Sequence, residues 1–154
     1  MKTKILVVCA GNICRSPLAE GILRERVAAD GLDLEVDSAA SNAWHTGAPP
    51  DARATVAARL KGFDISDLRA RPFRPSDFED FDLVLVMDHQ NRRDLEAMRP
   101  NGNATPLKLI TSYSDSPGVQ DAEVPDPYFS GQFNPVIDML SDSIEGLLAA
   151  LKPS

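Results

Sequence analysis

Ile5-Leu6-Val7-Val8-Cys9-Ala10-Gly11-Asn12-Ile13-Cys14-Arg15-Ser16-Pro17-Leu18 is the stretch from which the fold is read. Ile5 to Val8 is an unbroken apolar run with β-branched residues, the pattern of a strand buried on both faces. Ser16-Pro17 then offers an N-cap and a proline at the first helical position. Leu18, Ile22, Leu23 and Val27 continue at helical spacing, and Gly31 closes the segment.

Outward from this unit the chain keeps alternating. Leu34-Glu35-Val36 reads as a second strand, ending in a loop of small residues, Ser38-Ala39-Ala40-Ser41. From Asp51 a helix is expected to carry Ala52, Val56 and Leu60 inward and to stop at Gly62. Ser76-Asp77-Phe78-Glu79 has the form of a capping box for a short helix. Leu83 to Met87 is the clearest buried strand, Asp88 can cap the helix after it, and that helix ends before Pro100-Asn101-Gly102. Leu107 to Ile110 is a fourth strand. A polar loop with three prolines follows, from Thr111 to about Gly131, and loops of that length tend to be functional. The last helix places Val136, Ile137, Leu140, Ile144, Leu147, Leu148 and Leu151 on one stripe. Strands separated by helices imply parallel pairing with right-handed crossovers. The expectation is an α/β fold: a single doubly wound domain over residues 1–154, with a four-stranded parallel sheet and helices on both faces.

The 154 residues carry 16 Lys and Arg against 23 Asp and Glu, a net charge of −7. That balance argues against a general binder of nucleic acid or anionic membranes, which needs clustered positive charge. With 43% apolar residues the chain can bury a sizeable core. No apolar run approaches the ~20 residues of a membrane span. Met1-Lys2-Thr3-Lys4 starts basic, but the apolar run after it breaks at Gly11-Asn12, so no signal peptide is read and a cytoplasmic protein is expected. The two cysteines, Cys9 and Cys14, cannot form a disulfide framework. His45 and His89 stand apart from them and from each other, so neither a metal nor another cofactor is expected. Asn103-Ala104-Thr105 matches a glycosylation sequon and reads as a turn before Pro106.

In open α/β sheets, ligands bind beyond the carboxyl ends of the strands. Cys9 to Ser16 sits there as a Cys-x5-Arg-Ser loop, lacking both the Walker A and the Gly-x-Gly-x-x-Gly patterns. Such a loop over a helix N-terminus can aim several backbone N–H groups at one anion. Gly11 and Asn12 tolerate the positive φ that the arch needs. A cysteine facing those donors should ionise below the free value of ~8.5. Arg15 can grip two phosphate oxygens in its planar fork. Ser16 can donate to the thiolate, a useful interaction when sulfur is a leaving group, while still serving as helix cap.

The thirteen residues from Val8 to Glu20 closely resemble the signature of the low-molecular-weight protein tyrosine phosphatases. The resemblance covers essentially the whole chain. It includes Ser38-Ala39 before Trp44, Met87-Asp88 after the third strand, and Asp126-Pro127-Tyr128, where that family keeps its general acid. It implies a metal-free, two-step hydrolysis of phosphotyrosine monoesters. Cys9, Arg15 and Asp126 are the catalytic residues, with a phosphocysteine on Cys9. Ala10, Gly11, Asn12, Ile13, Cys14 and Ser16 contact substrate, and Trp44 and Tyr128 wall the pocket, with His45 beside them. The implied partner is a phosphotyrosine-containing protein or peptide, the product inorganic phosphate, and the chain a monomer or weakly self-associating. A mildly acidic optimum follows, because one group must be a thiolate while the other is a protonated carboxyl.

Each residue also has a plainer reading. A cysteine after a buried strand is usually an inert core residue, and Asp before Pro is usually a turn. The spacing from Cys9 to Arg15-Ser16, together with Asp126, outweighs both. Cys14 has two readings: packing, or, as the resemblance implies, a partner that traps oxidised Cys9 as a reversible disulfide. Asn12 is expected to brace the loop; Asp88 reads as a helix cap, to which the resemblance adds contact with the loop that orients Arg15. Arg69, Arg71 and Arg74 form a basic cluster that reads first as a solvated face and second as an interaction site for acidic phosphopeptides. Tyr128 is followed by Phe129, not the second tyrosine of many relatives, and Ala10 replaces a frequent Leu. Among rival activities, arsenate reduction needs further cysteines, and none follows Cys14. Arginine phosphatases favour a smaller polar residue where Ile13 stands. A sugar-transport phospho-carrier has no need of Asp126, and a phosphotyrosine-binding module needs neither nucleophile nor acid.

Overall fold

The alternation of buried runs and amphipathic segments becomes eleven elements in the computed structural model, which describes residues 2–152. They are β1 (Thr3–Cys9), α1 (Arg15–Asp30), β2 (Leu34–Ala40), α2 (Ala52–Leu60), α3 (Asp77–Asp80), β3 (Leu83–Val86), α4 (His89–Glu96), β4 (Leu107–Leu109), a 3-10 turn over Ile110–Tyr113, α5 (Pro127–Ser130) and α6 (Phe133–Leu151). Met1 of the basic start, Pro153 and Ser154 lie outside the described residues.

All four strands pair in parallel in the order β2-β1-β3-β4. The chain leaves β1 on one side for β2 and returns across it to β3. The loops leaving β1 and β3 therefore part above the carboxyl ends of the strands, where such sheets hold ligands. Strand side chains alternate between the two faces. Leu6, Val8, Val84 and Val86 pack with Phe73, Phe78, Phe81 and Leu95 on the α3–α4 side. Ile5, Val7, Cys9, Leu83, Leu85 and Met87 pack with Leu18, Leu23, Ile137, Leu140 and Ile144 on the α1–α6 side. The doubly wound α/β fold is thus a direct consequence of strands that are apolar on both faces. Among the described residues no helix is long and apolar enough to cross a membrane.

Local boundaries differ from the sequence reading where tertiary contacts outweigh pattern. β2 runs on through Ser38 and Ala39 to Ala40, because β1 pairs with it as far as Cys9. Ile110 leaves β4 for the 3-10 turn. The helix expected from Asp51 forms, with the Asp51 carboxylate capping it by accepting the Arg53 N–H, but it faces the other way. Ala54, Ala57 and Ala58 are buried, while Val56 is 53% and Leu60 82% exposed. The small side chains let α2 sit close to the core. The larger ones line a surface groove of about 460 Å³ with Phe133 and Pro135. Leu151, the last residue of the α6 stripe, is also exposed.

The capping box does not form: Ser76 makes no side-chain cap, and the buried Asp77 carboxylate takes the Arg74 N–H at 2.8 Å and the Arg71 guanidinium at 3.0 Å. Arg71 is accordingly no part of a solvated face. It bridges Asp77 and Asp37, and those two carboxylates hold its charge more firmly than usual against the cost of burial. Beyond β4, α6 crosses the 3-10 turn so closely that a Cβ on Gly146 would lie 1.8 Å from the Tyr113 carbonyl oxygen.

Candidate active site

The loop from Cys9 to Arg15 joins the end of β1 to the start of α1. Asn12 alone in it takes a left-handed backbone, with φ 58°. Gly11, expected to share that strain, does not: it is small because a Cβ there would sit 3.0 Å from Cδ2 of His45. The Asn12 N–H points at Cys9 Sγ, 3.3 Å away. Its side-chain amide donates to Ser16 Oγ at 2.7 Å and to Ser38 Oγ at 3.0 Å, and its Oδ1 accepts the Arg71 N–H at 3.1 Å. Asn12 therefore braces the arch from within. From outside, the Ser41, Asn42 and Asp51 N–H groups donate to the carbonyls of Cys9, Ala10 and Ile13. The helix begins at Arg15, with Cys14 at the cap position and no side-chain cap. Ser16 lies inside the first turn, and its hydroxyl, expected to cap the helix, is 3.0 Å from Cys9 Sγ instead.

Arg15 is 3% exposed and pinned from several sides. Its Nη1 donates to Asp88 Oδ2 at 2.7 Å and to the Val124 carbonyl at 3.0 Å, while Nη2 is 3.7 Å from Asp126 Oδ2. Burial works against its charge. The Cys9 sulfur, Asp88 and Asp126 outweigh that and hold the guanidinium protonated more firmly than usual. Asp88 serves twice, since its Oδ1 also caps α4 by accepting the Asn91 N–H at 2.8 Å. The long polar segment after β4 is clamped across the sheet by the Val124 N–H on the Met87 carbonyl and by the Thr111 hydroxyl on that of Ala122. It delivers Asp126 as the N-cap of α5, with Pro127 next and the Tyr128 N–H on its carboxylate.

A crevice of about 190 Å³ opens above the loop between Gly11, Ile13, Cys14, Trp44, His45, Asp126, Tyr128 and Phe129. Trp44 is 72% and Tyr128 44% exposed, so both rings stand at the mouth, and Arg53 lies 5.5 Å from the Tyr128 ring centre. Cys14 is buried beneath the rim; burial first, then Asp51 and the neighbouring Cys9, push its thiol up to about 12. Among the described residues no three His, Cys, Asp or Glu side chains gather as metal ligands. A cysteine sulfur, a fixed guanidinium and a carboxylate thus gather around one loop.

The sequence profile described as low molecular weight phosphotyrosine protein phosphatase matches residues 4–154. The chain belongs to this family. The Synechocystis protein slr0328, named for the same family, is 43% identical over 153 residues, covering 96% of each chain. YfkJ of Bacillus subtilis, a low molecular weight protein-tyrosine-phosphatase, is similar in structure with a TM-score of 0.91 at 35% identity, over 98% of this chain and 95% of its own. The structure of a Drosophila arginine phosphatase matches with a TM-score of 0.90 at 34% identity, over 100% of this chain and 99% of that one. Within this low-molecular-weight phosphatase chain, four residues around the site escaped the sequence reading: Ser38 as an Asn12 partner, the Val124 carbonyl, Arg53 under Tyr128, and Glu20 behind Ser38. The family resemblance already included Ser38-Ala39, and the register of β2 beside β1, which sets Val7 opposite Ser38, is what gives Ser38 its place beside the loop.

Proposed function

We propose that the chain is a protein tyrosine phosphatase acting through a phosphocysteine on Cys9, as one catalytic domain over residues 1–154. The observation that carries this reading is the approach of Arg15 to Asp126 within 3.7 Å, at the end of the loop whose Cys9 sulfur receives the Asn12 N–H. Cys9, as the thiolate, attacks phosphorus in line. Arg15 and the amides of residues 10–15 hold the three equatorial oxygens, the positioning and charge stabilisation on which phosphoryl transfer depends. Asp126 gives its proton to the leaving phenolate oxygen and later takes one from the water that opens the phosphocysteine. As the sulfur–phosphorus bond breaks, the electron pair returns to sulfur, where the Ser16 hydroxyl donates to it. Ile13 offers an apolar face, and Trp44 and Tyr128 offer rings, to a flat phenyl group.

Hydrolysis of phosphoarginine is the second reading, favoured by the likeness to the Drosophila arginine phosphatase. Ile13 and the Tyr128 wall speak for phosphotyrosine. Phosphate release from a phosphotyrosine peptide and from a phosphoarginine peptide, each in excess chelator, tests both. Wild type should prefer phosphotyrosine, Cys9→Ser should be inactive, and Asp126→Asn should lose ~10²–10⁴-fold, most for poor leaving groups. A preference for phosphoarginine would keep the chemistry and remove the pocket argument. An active Cys9→Ser would remove the mechanism.

A further inference from the structure

Glu20 lies in α1, only 5% exposed, and the mechanism above does not use it. It is nevertheless joined to the nucleophile by an unbroken chain of hydrogen bonds. Ser16 Oγ is 3.0 Å from Cys9 Sγ; Asn12 Nδ2 donates to Ser16 Oγ at 2.7 Å and to Ser38 Oγ at 3.0 Å; Ser38 Oγ donates to Glu20 Oε1 at 2.6 Å. The directions along this chain are forced. An amide nitrogen has two protons and accepts none, and both are spent here. The amide cannot turn over, because its Oδ1 is held by the backbone N–H of Arg71. Each serine therefore accepts from Asn12 and must send its single proton outward, that of Ser16 to sulfur and that of Ser38 to Glu20.

We propose that Glu20 is a positioning residue for the cysteine chemistry: as terminal acceptor it draws the Ser38 proton away from Asn12, which keeps Asn12 donating to Ser16 and the Ser16 proton on the Cys9 sulfur. The inference rests on the phosphocysteine reading. With the acceptor gone, the Ser38 proton either opposes the Asn12 amide or stays unpaired in the core, and the brace on Ser16 loosens. The step most exposed to that loss is hydrolysis of the phosphocysteine. There water forms the new oxygen–phosphorus bond, its proton passes to Asp126, and sulfur departs with the electron pair as a thiolate that the Ser16 hydroxyl donates to.

The role needs an acceptor and not a charge. The charged groups facing Glu20 are Arg24 on α1, 3.9 Å from its Oε2, Asp37 on β2 and Asp67 in the loop after α2. Burial above all, with Asp37 and Asp67 adding to it against Ser38 and Arg24, lifts its carboxyl to about 7, so both forms exist near neutrality. Both forms keep Oε1 as an acceptor for Ser38, and so can glutamine.

Stopped-flow hydrolysis of p-nitrophenyl phosphate, with acid-quench detection of phosphate on Cys9 and thermal melts alongside, tests the inference on wild type, Glu20→Ala, Glu20→Gln, Ser38→Ala and the double alanine variant. Glu20→Ala should lower kcat about tenfold, with kcat/KM affected less and a larger burst of nitrophenol. Glu20→Gln should restore most of the rate. The double variant should be no slower than Ser38→Ala alone. A merely structural role would lower kcat and kcat/KM together, in step with the melting temperature, and would overturn the inference. Wild-type kcat in Glu20→Ala, or Glu20→Gln as slow as alanine, would also overturn it. Should Glu20→Ala not fold, wild-type kcat in Ser38→Ala would do the same. A wild type that turns over with no phosphate on Cys9 would remove the phosphocysteine reading and the inference with it. The adduct in wild type beside a fully active Glu20→Ala removes the inference alone.

Discussion

The two cysteines bracket the loop in unlike surroundings. Cys9 faces the Asn12 N–H and the Ser16 hydroxyl; Cys14 is buried near Asp51, its thiol pushed up to about 12. A thiol so raised stays protonated and unreactive at neutral pH. Iodoacetamide at pH 7 should therefore alkylate Cys9, leave Cys14 intact, and be slowed by inorganic phosphate. Peptide mapping by mass spectrometry reads this, and faster labelling of Cys14 would contradict it. Cys9 and Arg15 were legible from their spacing after the first strand, whereas Asp126, by its local pattern a turn residue before proline, entered only through the family resemblance; the fold brings it to 3.7 Å from Arg15. Gly11 was misread because its reason for being small is His45, a residue from another loop. Ser16 was misread as a cap because α1 starts one residue before it, which frees its hydroxyl for the sulfur.

The elements hold the site through shared anchors, of which Asp88 is the clearest. One oxygen caps α4 and the other holds Arg15. Asp88→Asn can keep the cap while losing the charge against Arg15. It should melt close to wild type yet lose about tenfold in kcat/KM, since hydrogen bonds to charged groups are worth ~1.5–3 kcal/mol. An unchanged kcat/KM would show that Val124 and Asp126 position Arg15 unaided. On α6, Gly146→Ala would drive a methyl group into the Tyr113 carbonyl, so it should destabilise by ~1–3 kcal/mol or more, read by urea denaturation. The strands were legible as short runs of Val, Leu and Ile between turn residues. The face of α2 was not. Ala52-Val56-Leu60 and Ala54-Ala57-Ala58 are both helical stripes, and only packing against α6 and the core selects the smaller one.

At the scale of the whole molecule, a doubly wound sheet brings four separate loops to one edge, and a polar chain runs from there into the core as far as Glu20. That burial has a pH signature. The Glu20 carboxyl stands at about 7 in the folded chain against an ordinary 4.5, so between these values the folded state keeps a proton that the unfolded chain has released. The stability tied to this group is whole below about 4.5, falls as pH rises towards 7, and is flat above it. Glu20→Gln lacks that slope, so its melting temperature should gain on wild type between pH 5 and pH 8; a constant difference would contradict the assignment. Neither the depth of Glu20 nor its link to Ser38 is written in local pattern, because both depend on how α1 lies along β2. The mechanism stands or falls on the covalent intermediate, which rapid acid quench during turnover of a phosphotyrosine peptide would trap. Phosphate should be found on the peptide that carries Cys9, absent in Cys9→Ser and accumulating when hydrolysis is slowed. Turnover with no phosphate on Cys9 at any time, or with phosphate on another residue, would contradict it.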